Sequence, residues 1–364
     1  MSNEHTIKRF TVDISEADLK DLDERLARAR FTDQIAGAET AYGVGVDRVK
    51  RLVEYWRHGY DWRAWEARLN AHPQFTTEID GQNIHFLHVR SEREDAFPLI
   101  LTHGWPGSVV EFLNVIEPLT AAGFHLVIPS IPGFGFSGPT TQTGWNNARI
   151  ARAWAELMAR LGYTRYGAAG NDAGSMISPE VGRVDPEHVA GVHVTQVFSF
   201  PSGDPAEFAN LTEDDHRTLE TLDWFMQHKF AFNLLQAQQP QTLAHALADS
   251  PVGLLGWNSQ LMDEDVDDDF VLTNVAIYWF TGTAGSSIRI YFENDKAEPP
   301  AGRTTVPLAL AGSAGDFHGV RSFAERDHAD VRSWNVYEDK SHYLHYAAPD
   351  KLAADIAAFF GNLD

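Results

Sequence analysis

Four short apolar runs, at residues 98–102, 125–129, 166–169 and 189–197, alternate with helical patterns such as those at 109–121 and 145–161. This alternation constrains the fold more than any other feature. A strand buried on both faces reads as a continuous apolar run, and a parallel neighbour can be reached only through a crossover long enough to hold a helix. The pattern therefore predicts an α/β chain with a mostly parallel sheet and helices on both faces. Ahead of it, Phe75 to Asp80, a turn at Gly81, and a run from Asn83 with Ile84, Phe86 and Leu87 predict a β-hairpin. The first seventy or so residues read as helices. Ser15-Glu16-Ala17-Asp18 is a capping box before Leu19, Leu22 and Leu26, and residues 47–56 place Val49, Leu52, Val53 and Trp56 on one side. Both stripes are core contacts and carry no chemistry.

After Gln196 the strand series stops. Residues 198–294 are rich in helix formers, aromatics and Asp, and predict a helical cap inserted into the sheet domain. Strand patterning returns at 306–310 and 331–337, and a helix at 350–360 closes the chain. The expected division is an N-terminal helical meander over 1–74, a first core segment over 75–197, a cap over 198–299 and a second core segment over 300–364. The acids at 263–269 predict a solvated loop, since a calcium loop needs a spacing and a glycine that are missing here.

A formal charge of -22 over 364 residues argues against nucleic acid or an anionic membrane as a partner. With no cysteine there is no disulfide scaffold, no thiolate nucleophile and no cysteine metal site. No apolar run is long enough to span a bilayer, and the first seven residues lack the basic and apolar regions of a signal peptide. The expectation is a cytoplasmic protein, with no metal and no cofactor. A homodimer is compatible with the sequence.

The chemistry is concentrated in Gly170-Asn171-Asp172-Ala173-Gly174-Ser175, which follows the apolar run 166–169 and precedes a helix-compatible segment. Small residues around one reactive side chain at a sharp strand-to-helix turn are the layout of a nucleophile elbow. With aspartate at the apex, the first step is attack by a carboxylate, giving an ester joined to the enzyme. A G-x-D-x-G that merely turns the chain is the competing reading. Such a nucleophile needs a base to activate water, an acid to orient the base, and donors for the oxyanion. Asp316 follows the run 306–310 and His342 follows 331–337, so both fall just beyond successive strands, in the order nucleophile, acid, histidine. The rivals are His345 for the base and Asp327, Asp330 and Asp339 for the acid; strand position favours Asp316. His103-Gly104-Trp105-Pro106-Gly107-Ser108 follows another strand, so the amides of Trp105 and Ala173 are the expected oxyanion donors, with His103 structural. Ile131 to Ser137 lacks a dinucleotide fingerprint and a P-loop lysine, and reads as a tight turn near the pocket wall.

With these residues in place the chain resembles the microsomal-type epoxide hydrolases, a branch of the α/β-hydrolase fold with an N-terminal meander. The resemblance runs nearly end to end, through Tyr60-Asp61-Trp62-Arg63, Asn70, Pro73-Gln74-Phe75, Ile79-Asp80-Gly81, residues 84–88, 103–108, 132–137, 161–163, 170–175, 249–254 and 286–293. It implies opening of a small hydrophobic epoxide by Asp172, a cap tyrosine at Tyr291 that hydrogen-bonds the epoxide oxygen, and hydrolysis of the ester by water activated at His342. The sequence departs from the family pattern in three places. Phe232 stands where a second cap tyrosine is usual, Ala173 where tryptophan usually follows the nucleophile, and Lys340-Ser341-His342-Tyr343 where Gly-Gly-His-Phe is usual. Phe232, Trp257 and Trp279 are expected to line an apolar substrate pocket. The alternatives are a haloalkane-type dehalogenase, which Ala173 deprives of a halide donor, a biosynthetic epoxide-opening or cyclising relative, and a non-catalytic small-molecule binder.

Overall fold

The computed structural model describes residues 6–262, 266–300 and 302–363. Nine strands form one sheet: β1 (Lys8–Phe10), β2 (Gln74–Ile79), β3 (Gln82–Val89), β4 (Phe97–Thr102), β5 (Phe124–Pro129), β6 (Tyr166–Gly170), β7 (Val189–Val194), β8 (Leu308–Ser313) and β9 (Val331–Tyr337). Their order is β1-β2-β3-β5-β4-β6-β7-β8-β9. The pairs from β5 to β9 are all parallel, and β1, β2, β3 and β5 pair antiparallel. The predicted hairpin is β2–β3. Ile79 pairs with Gln82, and Asp80 and Gly81 both take positive φ, 52° and 72°, the geometry a two-residue turn requires to match strand twist.

β5 lies on one side of β4 and β6 on the other, so the strand order reverses at β4. The loops leaving the carboxyl ends of β4 and β6 diverge there and leave a crevice. β4 and β6 are almost wholly buried, which is why neither shows alternation in the sequence.

Several expectations need correction. β1 falls in the segment read as purely helical; it is a three-residue, half-exposed edge strand, too short for any periodicity to register. The helix expected over 109–121 is broken into a 3-10 turn, Val109–Phe112, capped by Ser108, and a helix, Ile116–Ala122. Within the acid cluster, residues 263–265 lie outside the described residues, and the rest is no solvated loop. Asp267 caps the helix Asp268–Phe280 through the Phe270 amide at 2.7 Å, Asp268 pairs with Arg51, and Asp269 accepts from Tyr55 Oη at 2.7 Å and Trp65 Nε1 at 3.2 Å. These acids tie that helix to the N-terminal helices Val46–His58 and Trp62–Asn70. Between residues 205 and 295 the described elements are all helical. Among the described residues no helix is long and apolar enough to cross a membrane.

Candidate active site

The turn after β6 is as sharp as its composition predicts. Asp172 sits at φ 53°, ψ −118°, a conformation unfavourable to a residue with a side chain, immediately before the helix Ala173–Val184. A Cβ on Gly174 would lie 1.8 Å from the Thr102 carbonyl oxygen, so the elbow can press against the end of β4 only with glycine there. The Asp172 carboxylate points back over the loop after β4. Its Oδ1 accepts from the Trp105 amide at 2.9 Å, and the Ala173 amide also hydrogen-bonds the group. Both amides expected as oxyanion donors therefore already face the carboxylate.

Behind Asp172 stands His342, on the loop after β9. Its Nε2 is 3.9 Å from Asp172 Oδ2, and its Nδ1 is 2.8 Å from Asp316 Oδ2, on the loop after β8. The rival acids are engaged elsewhere: Asp327 with Arg326, Asp330 with Arg332 and Asp339 with Lys351. His345 is fully buried on the Phe112 ring, with neither ring nitrogen hydrogen-bonded, and burial holds its pKa down to about 3. His103 is a brace, its Nδ1 3.0 Å from Gly104 O and its Nε2 accepting from the Ile131 amide at 3.2 Å.

Electrostatics separate the two reactive groups. Burial works against the charged form of His342, but the Asp316 charge and hydrogen bond, with the Asp172 charge, outweigh it and raise the pKa to about 9. Burial raises the Asp172 carboxyl above its ordinary value, while His342 and the two backbone amides pull it down. At neutral pH His342 is therefore held as the imidazolium, facing the Asp172 carboxyl.

Tyr291, from the helix Arg289–Asp295, faces the same space. Its ring meets Trp105 at 6.0 Å and Phe232 at 5.9 Å, both edge-on, while Phe232 stacks on Trp105 at 5.5 Å. Burial, with the nearby Asp172 charge, drives the Tyr291 pKa well above 10, so the phenol keeps its proton. Tyr278 is also near Asp172, but its hydroxyl is committed to Gly107 O at 2.6 Å. Trp257 donates to Gln236, one turn beyond Phe232 on the helix Ala231–Gln238. Trp279 is not brought to this group: its ring lies 5.5 Å from the Arg25 guanidinium, because it follows Tyr278 by about 100° around the helix and so faces the N-terminal segment.

Two site residues escaped the sequence reading. Gln196, just past β7, accepts from the Asp172 amide at 2.8 Å through Oε1, and its Nε2 donates to Asp316 Oδ2 at 2.6 Å. It ties the elbow to the acid. Glu111 is completely buried in the 3-10 turn after the Trp105 loop. The one signal for it was an acid set among Val109, Val110, Phe112 and Leu113.

A profile described as "Epoxide hydrolase N terminus" matches residues 7–112, and one described as "alpha/beta hydrolase fold" matches residues 98–269. Epoxide hydrolase 1 of Sus scrofa is 30% identical and covers 100% of this chain and 90% of its own length. The structure of an Aspergillus niger epoxide hydrolase superposes with a TM-score of 0.88 at 29% identity, covering 100% of this chain and 98% of that one. Juvenile hormone epoxide hydrolase from the silkworm Bombyx mori superposes with a TM-score of 0.90 at 26% identity, covering 98% of this chain and 95% of that one. The sheet order, the elbow and end-to-end similarity therefore agree: this chain has the α/β-hydrolase fold and belongs to the epoxide hydrolase family.

Proposed function

We propose that the protein hydrolyses a small hydrophobic epoxide to a vicinal diol through an ester on Asp172. The observation that carries this reading is the placement of one carboxylate between two amide donors and an imidazolium that is itself paired with an acid. Asp172 Oδ2 attacks an oxirane carbon, the carbon–oxygen bond breaks, and the departing oxygen takes a hydrogen bond and then a proton from Tyr291 Oη. The attack turns a charged carboxylate into a neutral ester, which removes one of the charges that hold the His342 pKa up. His342 then gives up its extra proton, which can restore Tyr291, and becomes a base only once there is an ester to cleave. It takes a proton from water, whose oxygen bonds to Asp172 Cγ; the carbonyl electron pair moves onto Oδ1, towards the Trp105 and Ala173 amides. Collapse breaks the bond from Cγ to the substrate-bearing oxygen, and that oxygen recovers a proton from His342.

Residues 198–299 would act as the cap that delivers Tyr291 and Phe232. One donor replaces the usual two, because Phe232 cannot donate, so the developing alkoxide rests on Tyr291 alone. A dehalogenase reading has less support, since Ala173 offers no indole N–H for a halide. The test is His342→Gln exposed to styrene-type epoxides and quenched in acid. The expected result is a mass increase of one epoxide on the peptide bearing Asp172, with no diol. Normal diol release by this variant would refute the assignment of the base.

A further inference from the structure

Glu111 is a completely buried acid with neither carboxyl oxygen in good hydrogen-bonding geometry, although the Asn171 carboxamide lies close enough to pull its pKa down a little. Its position is defined by three neighbours. Oε2 lies 2.7 Å from where a Cβ on Gly107 would stand, and the Tyr343 ring reaches the same point at 3.4 Å. Tyr343 directly follows His342, and the two rings are 4.9 Å apart. On the third side is Asn171, which directly precedes Asp172. Asn171 Oδ1 is taken by the Thr195 hydroxyl at 2.6 Å, while its Nδ2 has no partner in hydrogen-bonding geometry. Glu111 is thus wedged between the oxyanion loop, the residue before the nucleophile and the residue after the base.

We propose that Glu111 and Asn171 hold the water that cleaves the ester, setting it between His342 Nε2 and the Asp172 carboxyl carbon. The proposal rests on the aspartyl-ester reading above. Unsatisfied buried polar atoms are costly, and a site of this kind, with an acid and a carboxamide converging, is satisfied by one water making two to four hydrogen bonds. The 3.9 Å separation of His342 Nε2 from Asp172 Oδ2 is beyond a direct hydrogen bond and leaves the imidazole free to bind such a water. Burial pushes the Glu111 pKa well above the carboxylate range, which favours the neutral acid and lessens its repulsion with Asp172. As a neutral acid it can both accept from the water and donate, without taking the proton that belongs to His342. A purely structural role is the poorer explanation, because an apolar side chain of the same volume would fill the space without the two unpaired carboxyl oxygens.

In ester hydrolysis the water gives its proton to His342 Nε2, its oxygen bonds to Asp172 Cγ and stays there, the bond from Cγ to the substrate-bearing oxygen breaks, and Glu111 leaves the cycle unchanged. The experiment separates the two half-reactions in Glu111→Met, Glu111→Gln and His342→Gln by rapid mixing with an epoxide, acid quench and mass analysis of Asp172, with the melting temperature measured alongside. In E111M the ester is expected to form at the wild-type rate and to break down about 100-fold more slowly, as for a misplaced reactant. Its melting temperature should equal or exceed that of the wild type, and E111Q, which can still hold water, should regain most of the lost rate. Wild-type ester breakdown in E111M, while H342Q accumulates ester, would overturn the Glu111 assignment alone. So would equal slowing of both steps with a lowered melting temperature. Absence of ester in H342Q and E111M alike would overturn the covalent reading and this proposal with it.

Discussion

Asp172 and His342 each favour the charged form of the other, and that coupling makes a prediction independent of turnover. Removing the Asp172 charge takes away a group that raises the His342 pKa, so in Asp172→Asn the imidazole should titrate below about 9, as followed by NMR of the ring protons. An unchanged titration would mean that Asp316 alone sets the value. Phe232 is the second residue-scale test. It stacks on Trp105 and meets Tyr291 edge-on, so a hydroxyl added in Phe232→Tyr would lie on the same wall as the existing donor. A second donor to the developing alkoxide should speed ester formation by about 10-fold or more, given the 10²–10³ that one such donor can contribute. No gain with any epoxide would place that edge away from the reacting oxygen. At this scale the sequence carried much. The proposed site residues Asp172, Asp316, His342 and the Trp105 and Ala173 amides were legible because each stands just past a strand end, and Tyr291 only through the family resemblance. Gln196 and Glu111 could not, because their roles come from contacts 24 or more and 60 or more residues away in the chain. Trp279 was misplaced because composition cannot say which side of a helix faces a cavity.

Elements, rather than single side chains, set how tightly the elbow is built. Gly174 abuts the Thr102 backbone, and neither partner can yield, so Gly174→Ala should cost about 3 kcal/mol or more in stability and abolish turnover. Gly256 is the control. It lies inside the helix Pro251–Ser259 with open space where a Cβ would go, so Gly256→Ala should stabilise by roughly 0.5–1 kcal/mol. Denaturant unfolding of both variants checks the pair; similar effects would contradict the close approach at Gly174. The hairpin at Asp80-Gly81 was legible because its turn chemistry is local. The break after Phe112 and the helix-capping acids at 267 and 268 were not, since tertiary partners decide whether such residues sit in helix, cap or loop.

The whole molecule carries a set of buried histidines that burial holds neutral: His85 and His345 at about 3, and His88, His103 and His328 at about 4. Each folded value lies below the unfolded value near 6.5, so the unfolded chain binds more protons as the pH falls. Their contribution is complete above pH 6.5 and is lost progressively between 6.5 and about 3. His342 has the opposite sign. Its value of about 9 makes a contribution that is present below pH 6.5 and lost as the pH rises through 9. The melting temperature should therefore fall steeply below pH 6, and the alkaline decline should be shallower in His342→Gln than in the wild type. A flat profile between pH 4 and 6.5 would contradict the burial of these imidazoles. That the fold was a parallel sheet covered by helices was legible from the apolar runs, because burial on both faces leaves its mark on every strand. The domain contacts that seat Tyr291 and Phe232 beside Trp105 leave no such local mark.

The central claim is that Asp172 becomes covalently bonded to substrate and exchanges an oxygen with water. One turnover of excess enzyme in heavy-oxygen water, followed by mass analysis of the peptide containing Asp172 and of the diol, tests it directly. The account predicts heavy oxygen in the Asp172 carboxylate and none in the first diol released. Heavy oxygen in that diol, with Asp172 unlabelled, would contradict it and mean direct attack by water.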